Sequence, residues 1–152
     1  MEEYKQEIAN LTNPSFKGKL EDFSGASILI AASSPNSVPE KTVRGMKKPS
    51  VLFSLSNPVP EISFEKAKAL RVEIYGSGRS DVQNQINNSL CFPGFLRALL
   101  EFNVRKITPQ MHIAAAEGIA KTVNNPTREK IVPEVFDKSL VPNILKEMER
   151  VI

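Results

Sequence analysis

Short apolar runs alternate with amphipathic stretches along this chain. Residues 2–11 form a polar helical pattern that Thr12-Asn13-Pro14 stops. Ser27 to Ala32 (SILIAA) is a continuous apolar run, the pattern of a buried parallel strand, and it ends at the turn Ser33-Ser34-Pro35-Asn36. Pro39 opens a short helix. Val51 to Leu55 (VLFSL) predicts the second strand, ended by Ser56-Asn57-Pro58. Ser63 is placed to cap a helix over 64–70, and Val72 to Tyr75 predicts a third, half-buried strand running into Gly76-Ser77-Gly78.

From there the pattern turns helical. Residues 83–102 predict either two helices or one helix broken near Pro93-Gly94. Thr108-Pro109 is an N-cap and N1 pair for a helix whose stripe is Met111, Ala114, Ala115, Ile119 and Val123, ending at Asn124-Asn125-Pro126. A last helix from about Pro142 carries Ile144, Leu145, Met148, Val151 and Ile152 at helical spacing. Strands alternating with helices predict an α/β fold with a parallel sheet.

Composition narrows the class without naming a function. The 152 residues are 41% hydrophobic and 24% charged, an ordinary globular balance with material for about one domain. The net charge of +3 is scattered, with Lys47-Lys48 and Arg105-Lys106 the only adjacent basic pairs, which describes a solvated surface and not a nucleic-acid footprint. The single cysteine, Cys91, excludes a disulfide framework and a cysteine-rich metal site. No apolar run approaches membrane-spanning length and MEEYKQEIA has no signal core, so the expected setting is cytoplasmic.

Open α/β sheets bind ligands outside the C-terminal ends of their strands, so the three turns are the candidate sites. Ser33 and Ser34 are placed to hydrogen-bond a cofactor or simply to make a turn. Asn57, before Pro58, either aims its amide into the crevice or belongs to a plain turn. Gly76-Ser77-Gly78 starts like a dinucleotide fingerprint, but Asp81 stands where its third glycine belongs, which excludes a phosphate loop. The run Gly78 to Gly94 (GRSDVQNQINNSLCFPG) is the richest candidate. Asn84, Gln85, Asn87 and Asn88 crowd into residues 84–88, and uncharged amides that both donate and accept suit a carboxylate or carboxamide ligand. A solvated helix start is the alternative.

These motifs, in this order, resemble the malic enzymes. The similarity covers most of the chain: FKGKLEDFSGASILIAASSP, VLFSLSNPVPEISFEKAKA, GRSD, NQINNSL, FPG, ITPQMHIAAAEGIA and VPEVFD. Val82-Gln83 departs from the family's usual Phe-Pro, and Ser34 from its usual Gly or Ala. The resemblance implies a partial Rossmann-like, doubly wound parallel sheet lacking the first half of its domain. Residues 1–103 would be the distal half of a dinucleotide-binding domain and 104–152 a C-terminal helical segment packed on it as one compact unit.

The resemblance also implies a chemistry and its residues. Malate is oxidised and decarboxylated to pyruvate with NAD or NADP and a divalent metal, Mg or Mn. Carried over position by position, Asn57 and Asn88 contact malate and nicotinamide, while Ser33 and Ser34 line the cofactor turn. The family's glycine fingerprint, catalytic Tyr and Lys, and acidic metal ligands have no match here. Tyr4 and Tyr75 fit no catalytic motif, Glu61 and Asp81 belong to turns and caps, His112 is a surface or core-edge side chain, and Cys91 is packing.

The chain is therefore expected to be inactive alone, with no catalytic residue and no metal ligand of its own. Losing the central strands would leave the edge of SILIAA open, so a separate N-terminal half, the rest of a longer polypeptide or a second copy in a homo-oligomer is the expected partner. The alternative function is a non-catalytic nucleotide-binding or regulatory module. Neither nucleic acid nor membrane is an expected partner.

Overall fold

A computed structural model describes residues 3–12, 18–22 and 24–152 of the chain. Three parallel strands, β1 (Ile28–Ala31), β2 (Val51–Ser54) and β3 (Ile74–Ser77), lie side by side in the order β1-β2-β3. After α1 (Glu3–Leu11), the short helices α2 (Glu40–Arg44) and α3 (Phe64–Ala69) make the two crossovers. The register aligns Ile28, Val51 and Ile74 at one end and Ala31, Ser54 and Ser77 at the other. The expected α/β fold with an open parallel sheet is present.

Alternation along the strands separates two faces. Ala31, Leu52 and Tyr75 join Val38, Val43, Met46, Ile62, Ala67 and Leu70 in one buried cluster, with Leu29 packed against it. The other face is barely covered on β1, where Ile28 and Ile30 are each 60% exposed. SILIAA is thus half-buried and not buried on both faces. Among the described residues β1 pairs only with β2, so its outer edge is open.

Two elements differ from the sequence expectation, each for a local reason. β3 begins at Ile74 and not at Val72, because Arg71 and Val72 are used to stop α3. Arg71 adopts φ 58°, and the N–H groups of Arg71 and Val72 bond the C=O groups of Lys68 and Ala67, an αL helix stop of the Schellman type. Gly76 then falls inside the strand, where a Cβ would sit 2.6 Å from Ile86 Cδ1. Residues 83–87 are not helical. Asn84 holds φ 54°, and a helical turn forms only over Asn88–Leu90, where Asn87 Oδ1 accepts the Ser89 N–H at 3.0 Å.

Pro93-Gly94 does not break a helix; it begins one. In α4 (Phe92–Glu101) Pro93 occupies the first turn, where a missing N–H costs nothing. In α5 (Pro109–Lys121) Thr108 Oγ1 accepts the Met111 N–H at 3.4 Å, the expected cap. The last helix, α6 (Leu140–Met148), starts two residues before Pro142 and ends before Val151 and Ile152, which are 40% and 48% exposed. The three helices share a second buried cluster built on Leu90, Phe95, Ala98, Met111, Ala114, Ala115, Leu140, Ile144 and Met148. Glycines permit the close approach to α6: a Cβ at Gly118 would lie 2.6 Å from Ile144 Cα, and one at Gly94 would lie 2.7 Å from Ile144 Cδ1.

Candidate functional site

The strands end on small residues, Ala31, Ser54 and Ser77, all buried, and the chain leaves them in turns that gather at one end of the sheet. Beneath two of these turns lies Glu61, fully buried. Its Oε1 accepts the Ser33 N–H at 2.7 Å; its Oε2 accepts the Ser56 N–H at 3.0 Å and the Ser54 hydroxyl at 2.8 Å. The Ser54 Oγ in turn accepts the Ile62 N–H at 3.2 Å. Burial pushes the Glu61 carboxyl up, but the bonds from the Ser33 and Ser56 N–H groups, its own backbone and Ser54 outweigh it and hold the group below the ordinary carboxylate range.

The next turn is fixed by Arg79. Its Nη1 donates to the Pro58 C=O at 2.7 Å, and its Nε and Nη2 engage both oxygens of Asp81. The hydrogen bond from Arg79 is the main cause holding Asp81 below its ordinary pKa, and the same bond raises Arg79. Between the β2 and β3 turns lies an open cleft of about 530 Å3, lined among others by Asn57, Gly78, Arg79, Asp81, Gln85 and Asn87. Space at Gly78 is tight, since a Cβ would lie 3.1 Å from the Leu55 C=O. The Asn57-Pro58 peptide at its rim is cis.

The amide-rich run divides in two. Asn84, buried, spends its whole side chain internally: Nδ2 donates to the C=O groups of Tyr75 and Arg128, and Oδ1 accepts the Ile131 N–H. Asn87 donates to the Gly78 C=O at 3.0 Å and caps Ser89. Gln85, half-buried, and Asn88, exposed, make no side-chain hydrogen bond among the described residues. Asn57 is exposed and likewise uncommitted, so with Gln83, half-buried and also without a side-chain hydrogen bond among the described residues, it, Gln85 and Asn88 are amides free to meet a ligand.

Of the residues singled out in the sequence, Asn57 lines the cleft, whereas Ser33, Ser34 and Asn88 do not. The Ser33 N–H is taken by Glu61 and its hydroxyl shares a 2.8 Å bond with the Ser37 hydroxyl; Ser34 is exposed. His112 stacks on Phe95 at the edge of the helical core, with ring centroids 5.4 Å apart. Tyr75 is a core residue whose hydroxyl donates to the Ile62 C=O at 2.9 Å, and burial raises its pKa. Cys91 is half-buried, its thiol pushed up by burial.

Glu61, Arg79 and Asn84 were not assigned these roles from the sequence. The signals were present in the Pro60-Glu61 pair after the SNP turn and in GRSD, but nothing local says that a glutamate there is buried under two turns. Among the described residues no three His, Cys, Asp or Glu side chains cluster as metal ligands. No described helix is long and apolar enough to cross a membrane.

Residues 3–142 match the family described as "Malic enzyme, NAD binding domain". An NAD-dependent malic enzyme of Geobacillus stearothermophilus is 40% identical over 93% of this chain and 30% of its own length. An NADP-dependent malic enzyme of Escherichia coli is 34% identical over 82% of this chain and 17% of its own length. Among solved structures, the NAD-dependent malic enzyme of Thermotoga maritima superposes with a TM-score of 0.91 at 38% identity, covering 98% of this chain and 40% of that one. The Entamoeba histolytica malic enzyme gives 0.92 at 33%, covering 97% and 31%. The chain therefore spans well under half the length of these relatives. With its parallel strands, its SNP turn and its amide-rich run all falling within the matched residues, the chain belongs to the malic enzyme family and carries part of that family's NAD-binding domain.

Proposed function

We propose that this chain supplies the distal part of the nicotinamide-nucleotide site of an enzyme that oxidatively decarboxylates malate to pyruvate, with Asn57 and Asn88 contacting malate and nicotinamide and Ser33 and Ser34 lining the cofactor turn. The observation that supports it most is the uncommitted amide of Asn57 at the C-terminal end of β2, on a turn held between Glu61 and Arg79. Such an amide donates to a substrate carboxylate or to the nicotinamide carboxamide without adding charge, and fixed neighbours keep it oriented. When bound, NAD or NADP supplies the hydride acceptor. Relatives of both cofactor types are similar to this chain, and the proposal covers both.

No step is assigned to a metal here. The metal and the proton-handling residues of the reaction are proposed to come from the part of the protein that pairs with the open edge of β1, or from a second copy. A cytoplasmic setting accompanies this reading. The non-catalytic alternative is not favoured, because the similar proteins are named as malic enzymes.

The test compares the chain alone with the chain mixed with the N-terminal part of the Geobacillus stearothermophilus enzyme, following malate-dependent reduction of NAD and NADP. Activity is expected only in the mixture. In that mixture Asn57→Ala and Asn88→Ala should each lower kcat/KM by about tenfold or more, the loss of one hydrogen bond to a charged group. Unchanged kinetics in both variants would remove the site assignment.

A further inference from the structure

Among the described residues Glu61 is the one carboxylate buried at the ligand end of the sheet, and it reaches two turns whose bonded residues, Ser33 and Ser56, stand 23 positions apart. Its two oxygens are not equivalent. Oε1 serves the Ser33 N–H alone, whereas Oε2 serves both the Ser56 N–H and the Ser54 hydroxyl. All three partners are donors, so an ionised carboxylate, which only accepts, satisfies them together. We infer that Glu61 is a positioning residue that locks the Ser33 turn to the Asn57 turn, setting the distance between the cofactor-lining and amide-bearing walls of the site. The functional meaning of this lock rests on the nucleotide-site reading above; the lock itself does not.

The asymmetry makes the inference specific. A glutamine at this position keeps one oxygen and turns the other into an NH2 donor. The oxygen is better placed toward Ser54 and Ser56, where it meets two donors, which leaves the NH2 opposed to the Ser33 N–H. Glu61→Gln therefore loosens the Ser33 turn and spares the Asn57 turn. Glu61→Ala releases both. Glu61→Asp, shorter by one methylene, holds one turn and cannot span both.

The experiment is amide hydrogen exchange, residue by residue, on the full chain. Ser33 and Ser56 are expected to be protected in the wild type. In Glu61→Gln the Ser33 amide should exchange at least about tenfold faster while Ser56 and the strand amide of Leu55, bonded to the Ala31 C=O, stay as they were. Unchanged Ser33 protection overturns the inference. So does a loss of protection spread over the whole sheet in Glu61→Gln, which would make Glu61 a general stabiliser. If Glu61→Ala fails to fold, Glu61→Gln and Glu61→Asp still give the answer.

A second measurement uses the complemented enzyme. Glu61→Gln should raise KM for NAD or NADP by about tenfold and leave KM for malate within about twofold, a split that a general loss of folded protein does not produce. Equal changes in both overturn the positioning role. If the wild-type mixture shows no activity at all, the functional reading falls, and the exchange pattern still decides whether the two turns are locked.

Discussion

Asn84 Oδ1 accepts the backbone N–H of Ile131 at 2.8 Å, so a side chain just after β3 clamps a loop that follows α5. With the two bonds from Nδ2, each 2.9 Å, all of its hydrogen-bonding groups that face protein are used. Asn84→Ala leaves two carbonyls and one N–H without partners and puts alanine at φ 54°. The expected loss is about 2–3 kcal/mol in urea unfolding. Asn88→Ala, at an exposed position, should stay within about 0.5 kcal/mol. Equal effects at the two positions would contradict the division of the amide run into structural and free members.

Two glycines face the same isoleucine but fail differently when filled. At Gly118 the added Cβ meets backbone, at 2.6 Å from Ile144 Cα and 2.9 Å from the Asn143 oxygen; at Gly94 its nearest neighbours are all atoms of the Ile144 side chain. Overpacking of this kind costs about 1–3 kcal/mol. Gly94→Ala should be partly relieved in an Ile144→Ala background and Gly118→Ala should not. A double-mutant cycle by chemical denaturation shows this as a coupling term at Gly94 alone.

How much of this was legible in the sequence depends on how far apart the deciding residues lie. β2 and α5 were readable because the signals are adjacent: VLFSL before Ser56-Asn57-Pro58, and Thr108-Pro109 before a stripe of alanines. The start of β3 was misplaced because the αL stop at Arg71 is a conformation a basic residue seldom announces. Residues 83–87 looked helical by composition, yet Asn84 is held by Arg128 and Ile131, over forty positions away. Of the site, the Asn57 turn was found by its dipeptide. The fixing roles of Glu61 and Arg79 come from contacts that exist only once the strands are side by side.

Acid should weaken the fold through two carboxylates with different surroundings. Glu61 is held low by neutral donors against the upward push of burial, and Glu147 is held low first by its hydrogen bond from Lys121. Each group binds its proton more weakly folded than unfolded, so its contribution is complete above the unfolded carboxylate pKa of about 4.3 and is lost as pH falls through the lower folded value. Denaturation midpoints should fall below about pH 5. Glu61→Gln and Glu147→Gln should each flatten that slope. Salt should reduce the Glu147 part only, since Lys121 is 51% exposed and the Glu61 donors are uncharged. A slope unaffected by either substitution would contradict this account.

The apolar edge of β1 should make the isolated chain associate. Ile28 and Ile30 stand exposed beside unpaired strand backbone, the arrangement that invites another strand. Light scattering should show concentration-dependent species, reduced in Ile30→Lys. A monomer at all concentrations in both forms would argue against the edge as a pairing surface.

The clamp at Asn84 has a consequence in time as well as in energy. Joining Asn84 to Ile131 closes a loop of 47 residues that contains all of α4 and α5. Closing so long a segment is entropically costly until those helices have packed. The clamp is thus a late event, and Asn84→Ala should accelerate unfolding while leaving the refolding rate nearly unchanged in a chevron analysis; a slowed refolding limb would instead place it in the nucleus. Asn84 then acts as the latch on an already assembled helical unit, setting how long the native protein persists more than how quickly it forms.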